Sequence, residues 1–274
     1  MKTLLILVLM TVPLFAAEPD AKLYELRVYW AAEGKLDALH SRFRDHTFKL
    51  FEKHGMTNVG YWTPLDGKDH RLIYIVAHKD KLAQINSWKG FIADADWKKA
   101  HAESEKNGKL VDKIESINLT ATDFSPASSA HGNAERVFEL RTYVTGADKL
   151  SPLLERFKNH TAKLFEKHGM TNVGYWTLGD EATVKNEKLL AAVTAKGDDK
   201  ADARMDAKAK ETTLVYLLAH ASDEARKQSF DAFRKDPEWI KAKEASEVKA
   251  GGPLTVKDGV KSLTLKATDY SPMK

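Results

Sequence analysis

The strongest constraint on this chain is that it repeats itself. Tyr24-Glu25-Leu26-Arg27-Val28-Tyr29 recurs as Phe138-Glu139-Leu140-Arg141-Thr142-Tyr143. Arg42 to Thr63 recurs as Arg156 to Thr177 with only three differences, Arg44/Lys158, Asp45/Asn159 and Phe48/Ala162. Ile73 to His78 then answers to Val215 to His220, and Trp97 to Trp239. Each copy closes alike, on Ala121-Thr122-Asp123-Phe124-Ser125-Pro126 and on Ala267-Thr268-Asp269-Tyr270-Ser271-Pro272. A fold for this chain must therefore be one module used twice.

The repeat sets the boundaries. One module occupies residues 22–126 and the second 135–272, joined by a small polar linker over 127–134. The second copy carries an insertion at about residues 179–212, rich in Lys, Asp, Ala and Glu, where the first copy has a short turn. Residues 1–17 combine a basic start at Lys2, an apolar run from Leu4 to Phe15 and small residues at Ala16-Ala17. That pattern predicts a cleaved signal peptide, after Ala16 or Ala17, and a secreted or periplasmic protein. The chain has no cysteine, so disulfides, thiol chemistry and Cys-held metals are excluded. Its 43 basic and 39 acidic residues are interspersed, which argues against a nucleic-acid partner. No stretch after the leader is apolar enough to span a membrane.

Each copy reads β-α-β-β-α-β. Leu23 to Trp30 alternates as a half-buried strand does. Leu36, Leu39, Phe43, Leu50 and Phe51 fall at helical spacing, and His54-Gly55 supplies a glycine stop. Two strands flank the Asp66-Gly67 turn, a second helical region runs over 83–107 with a break at 94–96, and a last strand follows. This is the order of a ferredoxin-like module. Helices cover one face of such a sheet and leave the other bare. The expected fold is therefore α+β, with two tandem modules closing on each other as an intramolecular dimeric α/β barrel.

Tyr24-Glu25-Leu26-Arg27-x-Tyr29, His54-Gly55-Met56, Val59-Gly60-Tyr61-Trp62 and the Trp97 and Trp239 segments together resemble the NIPSNAP family. The resemblance implies a dimeric α/β-barrel fold, shared with small mono-oxygenases and heme-handling proteins. Its own members are mostly assigned binding, trafficking or signalling roles. The first copy has Ala93-Asp94-Ala95-Asp96 where the second has Lys235-Asp236-Pro237-Glu238, which predicts a difference in where that helix starts.

Strand parity supplies the candidate residues. Assigning apolar Tyr24, Leu26 and Val28 to the helix-covered face sends Glu25, Arg27 and Tyr29 into the barrel, with Glu139, Arg141 and Tyr143 opposite. Tyr74 with His78, and Tyr216 with His220, share one parity on the third strand, and Trp62 and Trp176 are expected to wall the same interior. The Glu–Arg pairs read first as structural pairs that fix register or the interface between the copies, and second as Arg residues receiving an anionic ligand. His78 and His220 are best placed for acid–base work. Asn58 and Asn172 share parity with the tryptophans. His46 and His160 are expected on the apolar helix face, and His54 and His168 in helix-capping turns. No His-x-x-x-His, phosphate loop or nucleophile elbow is present, so no metal is expected. The first functional expectation is a ligand- or partner-binding protein without a cofactor. The alternative, raised by the resemblance, is a cofactor-independent mono-oxygenase or a heme-handling enzyme. The third is a purely structural partner-binding module.

Overall fold

A computed structural model describes residues 23–126, 135–179 and 212–274. The leader, the linker and residues 180–211 of the insertion lie outside the described residues. The first module runs β1 (Leu23–Ala31), α1 (Leu36–Arg42), a π-helical turn (Phe43–Thr47), α2 (Phe48–Lys53), β2 (Thr57–Pro64), β3 (Arg71–His78), α3 (Lys81–Ala93), α4 (Ala95–Ser104) and β4 (Val111–Ala121). The second runs β5 (Val137–Thr145), α5 (Leu150–Arg156), a π-helical turn (Phe157–Thr161), α6 (Ala162–Lys167), β6 (Thr171–Leu178), β7 (Thr213–His220), α7 (Asp223–Lys235), α8 (Pro237–Lys249) and β8 (Thr255–Ala267).

The eight strands form one closed barrel in the order β1-β3-β2-β8-β5-β7-β6-β4, every neighbouring pair antiparallel. Two short pairings close it between the modules. Trp62 to Pro64 of β2 run against Leu265 to Ala267 of β8, and Leu119 to Ala121 of β4 against Trp176 to Leu178 of β6. Closure removes the exposed edges that each four-stranded sheet would otherwise present.

The repeated closing motifs explain themselves here, because each crosses to the other module. Thr122 N–H donates to the Tyr175 carbonyl at 2.9 Å, and Tyr175 N–H to Ser125 Oγ at 2.9 Å. Reciprocally, Thr268 N–H donates to the Tyr61 carbonyl at 2.9 Å and Tyr61 N–H to Ser271 Oγ at 3.0 Å. The two tails clasp the modules together.

The barrel interior is apolar. It takes Leu26, Val28, Trp62, Ile73, Ile75, Ile117 and Leu119 from the first module and Leu140, Trp176, Val215, Leu217, Leu263 and Leu265 from the second. This overturns the expected parity. Glu25, Arg27, Tyr29, Tyr74 and His78, with Glu139, Arg141, Tyr143, Tyr216 and His220, lie on the helix-covered faces outside the barrel. The physical reason is solvation. The interior is lined by apolar side chains and offers charges nothing to pair with, whereas the helices bring their own donors. Of the twelve residues expected inside, Trp62 and Trp176 are inside.

Local geometry produces two further corrections. The π-helical turns insert a residue into the helix, so Thr47 and Thr161 are buried while His46 and His160 are exposed. A bulge between Asn58 and Gly60 reverses parity in β2, and its counterpart lies between Asn172 and Gly174. Asn58 and Asn172 therefore accept from Tyr61 and Tyr175 on the helix side instead of facing the barrel. Gly60 and Gly174 are required, since a Cβ at either would overlap the ring of Trp62 or Trp176. The second helical region breaks as expected. Asp94 and Asp236 cap α4 and α8 in the same way, so those starts are alike despite the sequence difference.

Candidate functional site

Between each sheet and its helices lies a buried polar cluster built on the Glu-x-Arg-x-Tyr strand. Alternation puts Glu25, Arg27 and Tyr29 on one face of β1, and the antiparallel register brings Tyr74 and His78 of β3 beside them. α3 then lays Gln84 and Trp88, four residues apart on one helix face, over the carboxylate. The cluster is framed by aromatic rings, with Tyr29, Phe43, Phe51 and Trp88 around Tyr74 and its neighbours.

In the first module the carboxylate is fully engaged. Arg27 Nη1 donates to Glu25 Oε1 at 2.6 Å, and Ser116 Oγ donates to the same oxygen. Gln84 Nε2 and Trp88 Nε1 each donate to Oε2 at 2.7 Å, with His78 Nε2 at 3.3 Å. Burial alone would raise the Glu25 pKa. The hydrogen bonds from His78, Ser116 and Trp88 and the Arg27 charge instead hold it well below the usual carboxylate range. Arg27 stacks 4.3 Å from the Trp88 ring centroid.

The second module keeps the strand residues and changes the helix residues above them. Arg226 replaces Gln84 and Phe230 replaces Trp88. Arg141 Nη1 still donates to Glu139 Oε1 at 2.6 Å, and its Nε donates to the Tyr216 hydroxyl at 2.8 Å. Arg27 Nε and the Tyr74 hydroxyl do not make that bond, because Arg27 lies over Trp88 instead. Phe230 has no N–H to give, and Arg226 Nε donates to Asp223 at 2.8 Å while its Nη1 stays 3.7 Å from Glu139. Glu139 Oε2 and both His220 ring nitrogens consequently have no hydrogen-bond partner among the described residues. His220 Nε2 lies 3.7 Å from that oxygen, too far to bond it. Burial pushes the His220 pKa down to about 4, with Glu139 opposing, so the imidazole is neutral at pH 7. Both side chains are 1% exposed.

The second module thus holds a carboxylate oxygen and a neutral imidazole, side by side, with open bonding capacity. Phe230, Tyr143 and Tyr216 stand around them, Arg141 lying 4.8 Å from the Phe230 centroid. The arrangement can accept a hydrogen bond at Glu139 and accept or donate one at His220. A heme does not suit these residues. An iron ligand needs an imidazole facing an open apolar slot, and His78 and His220 are each buried against a carboxylate beneath a helix. Among the described residues no group of three or more His, Asp or Glu side chains is arranged to hold a metal.

The remaining expected sites fall elsewhere. Trp62 and Trp176 face the barrel interior, and the Nε1 of each has no partner among the described residues. His54 and His168 end α2 and α6, and Nε2 of each reaches the cap carboxylate of Asp94 or Asp236 at 2.7 Å. Gln84, Trp88 and Ser116, with Arg226 and Phe230, belong to the cluster but were not among the residues expected from sequence. The helix positions fall where the repeat has diverged, Gln facing Arg and Trp facing Phe, whereas Ser116 faces a matching Ser262 and carries no such signal.

Residues 24–126 match the profile of the NIPSNAP family. The chain carries a NIPSNAP domain. No curated protein matches it. A candidate monooxygenase from Lactobacillus acidophilus NCFM superposes with a TM-score of 0.52 at 13% identity, over 92% of this chain and 98% of its own. A second candidate monooxygenase, from Fusobacterium nucleatum subsp. nucleatum ATCC 25586, gives 0.51 at 13% identity, over 90% and 92%. An uncharacterised NIPSNAP domain protein from Burkholderia xenovorans is 20% identical over 38% of this chain and 99% of its own, with a TM-score of 0.34. The two candidate monooxygenases share the barrel fold with the NIPSNAP domain and its repeat, and their identity is too low to carry chemistry across.

Proposed function

We propose that the chain is an exported tandem protein of two ferredoxin-like, NIPSNAP-type modules that binds a small ligand at the second module's Glu139–His220 cluster. In this reading the first module is its structural twin. Residues 1–17 act as the export signal, 127–134 join the modules and the 179–212 insertion is an elaboration of the binding module. The carrying observation is the unmet bonding capacity of Glu139 Oε2 and His220 in a buried, aromatic-walled setting. The equivalent oxygen in the first module is saturated by Gln84 and Trp88.

Leaving a buried carboxylate oxygen bare costs on the order of 1–3 kcal/mol or more, a cost that a bound donor removes. The smaller Phe230 ring also withdraws bulk from over Glu139. The ligand this favours is small and planar, with an O–H or N–H for Glu139 and a face for the rings. Binding without transformation needs no group beyond these.

The test is an NMR titration of phenol against protein carrying 13C-labelled histidine rings. The expected result is a saturable shift of the His220 resonance, lost in Glu139→Gln. It should also be lost in Phe230→Trp, which restores the first module's ring and N–H. A His220 signal that phenol leaves unmoved, or that moves equally in Phe230→Trp, overturns the reading.

A second reading is a cofactor-independent mono-oxygenase. A neutral, buried imidazole able to take a substrate proton favours it. Oxygen consumption on adding a phenolic substrate, abolished by His220→Gln, would select it over simple binding.

A further inference from the structure

The second module has a cavity on its outer side, away from the Glu139–His220 cluster. It is a cleft of about 150 Å³ between α8 and the α5 helix with its π-helical turn. Pro152, Glu155, Arg156, Asn159 and His160 line one wall, and Ala242, Ala245, Ser246 and Lys249 the other.

Comparing the two copies position by position gives the cleft its meaning. The first module's equivalent positions hold Arg42 with two acids, Asp45 and Glu103. In the second module Asn159 and Ala245 replace those acids, and Lys249 replaces Asn107. Glu155, which stands where the first module has Ser41, is the one acid that the second cleft gains. Asp45/Asn159 is also one of only three changes in the longest conserved block of the repeat.

The buried cation responds accordingly. Arg42 Nη1 reaches Glu105 at 3.2 Å, whereas Arg156 Nη1 stands 3.8 Å from Glu247 and 3.3 Å from Ser246 Oγ. The Nε of Arg156 has no partner among the described residues, a feature it shares with Arg42. Burial pulls the Arg156 pKa below its ordinary value, with Tyr143 and Glu247 opposing. A guanidinium 5% exposed and weakly countered is the group that a fixed anion stabilises most. Lys249 is exposed, and its pairing with Glu155 at 3.2 Å is a solvated one, worth little and easily exchanged.

We propose that this outer cleft is an anion site taking a phosphate or carboxylate group, held by Arg156, Lys249 and the Asn159 amide, with His160 at its rim. The volume admits one such group and little more. Asn159 and His160 lie in the π-helical turn and are exposed at the cleft.

Isothermal titration of the full chain with sodium phosphate, and separately with sodium acetate, at ionic strength fixed by chloride, tests this. A saturable one-to-one heat is expected with at least one anion. Phosphate alone identifies a phosphoryl group, and acetate alone a carboxylate. Asn159→Asp with Ala245→Glu reinstates the first module's acids and should weaken Kd at least tenfold. Lys249→Asn, an exposed change to the first module's residue, should weaken it too and settles the matter if the double variant fails to fold. Phenol binding at the Glu139 cluster should be untouched by all three changes, which separates the two sites. Absence of saturable heat with either anion, or affinity unchanged in these variants, overturns the proposal.

Discussion

Acid should destabilise this protein through His220 before it touches the carboxylates. Unfolded, the ring titrates near 6.5; folded, burial lowers it to about 4. Between those values the unfolded chain binds a proton that the folded protein refuses, so stability falls as pH drops from 6.5 to 4. Above 6.5 both states are neutral, and below about 4 both are protonated, so the loss is confined to that window. At 1.36 kcal/mol per pH unit the upper bound is about 3 kcal/mol. For a chain of this size that is roughly 6–12 °C in Tm, at about 2–4 °C per kcal/mol. The informative perturbation is His220→Leu, which removes the titration and the two unpartnered nitrogens. Thermal melts of both proteins from pH 7 to 4 should diverge, with wild type losing up to about 3 kcal/mol more than the variant. His40, also lowered by burial, is common to both proteins and cancels in the difference. Glu25, Asp94 and Asp236 are lowered too, so their contributions fade only below the ordinary carboxylate values. Parallel curves would refute the reasoning. They would mean that His220 charges against Glu139 inside the fold, and that the pair is an internal ion pair instead of an open site.

Glu25→Gln leaves the Arg27 charge buried without its counter-ion and should cost about 3–5 kcal/mol by urea denaturation. Gly60→Ala and Gly174→Ala push a methyl into a buried indole inside the barrel, so each should cost about 1–3 kcal/mol with native circular dichroism retained. Arg44→Ala removes an exposed two-pronged contact to Asp269 that links the modules, and should cost less than about 1 kcal/mol. By contrast Ser271→Ala with Ser125→Ala removes the side-chain hydrogen bond of each tail clasp and leaves its backbone bond. The expected readout is faster proteolysis of the tails at unchanged secondary structure.

What the sequence determined on its own was the plan of the molecule. Self-similarity set the two modules, and periodicity set strand and helix order inside each. The bare face of a half-covered sheet required closure between copies. Those inferences rest on local pattern, which a chain carries whatever its tertiary environment. The grouping of the candidate cluster was half legible, because alternation and the antiparallel register put Glu25, Arg27 and Tyr29 on one face beside Tyr74 and His78. Tertiary structure decided which way they point. Alternation says only that Glu25 and Leu26 face opposite sides; which side is the barrel depends on where a buried charge can be matched. Gln84, Trp88 and Ser116, far away in sequence, match it on the helix side. The bulge before Gly60 and the π-helical turn at Phe43 each shift the register by a residue, reversing Asn58 and His46 against their periodicity. The open capacity at Glu139 is a property of neither strand alone. It arises because α7 brings an arginine and a phenylalanine to the place where α3 brings two donors.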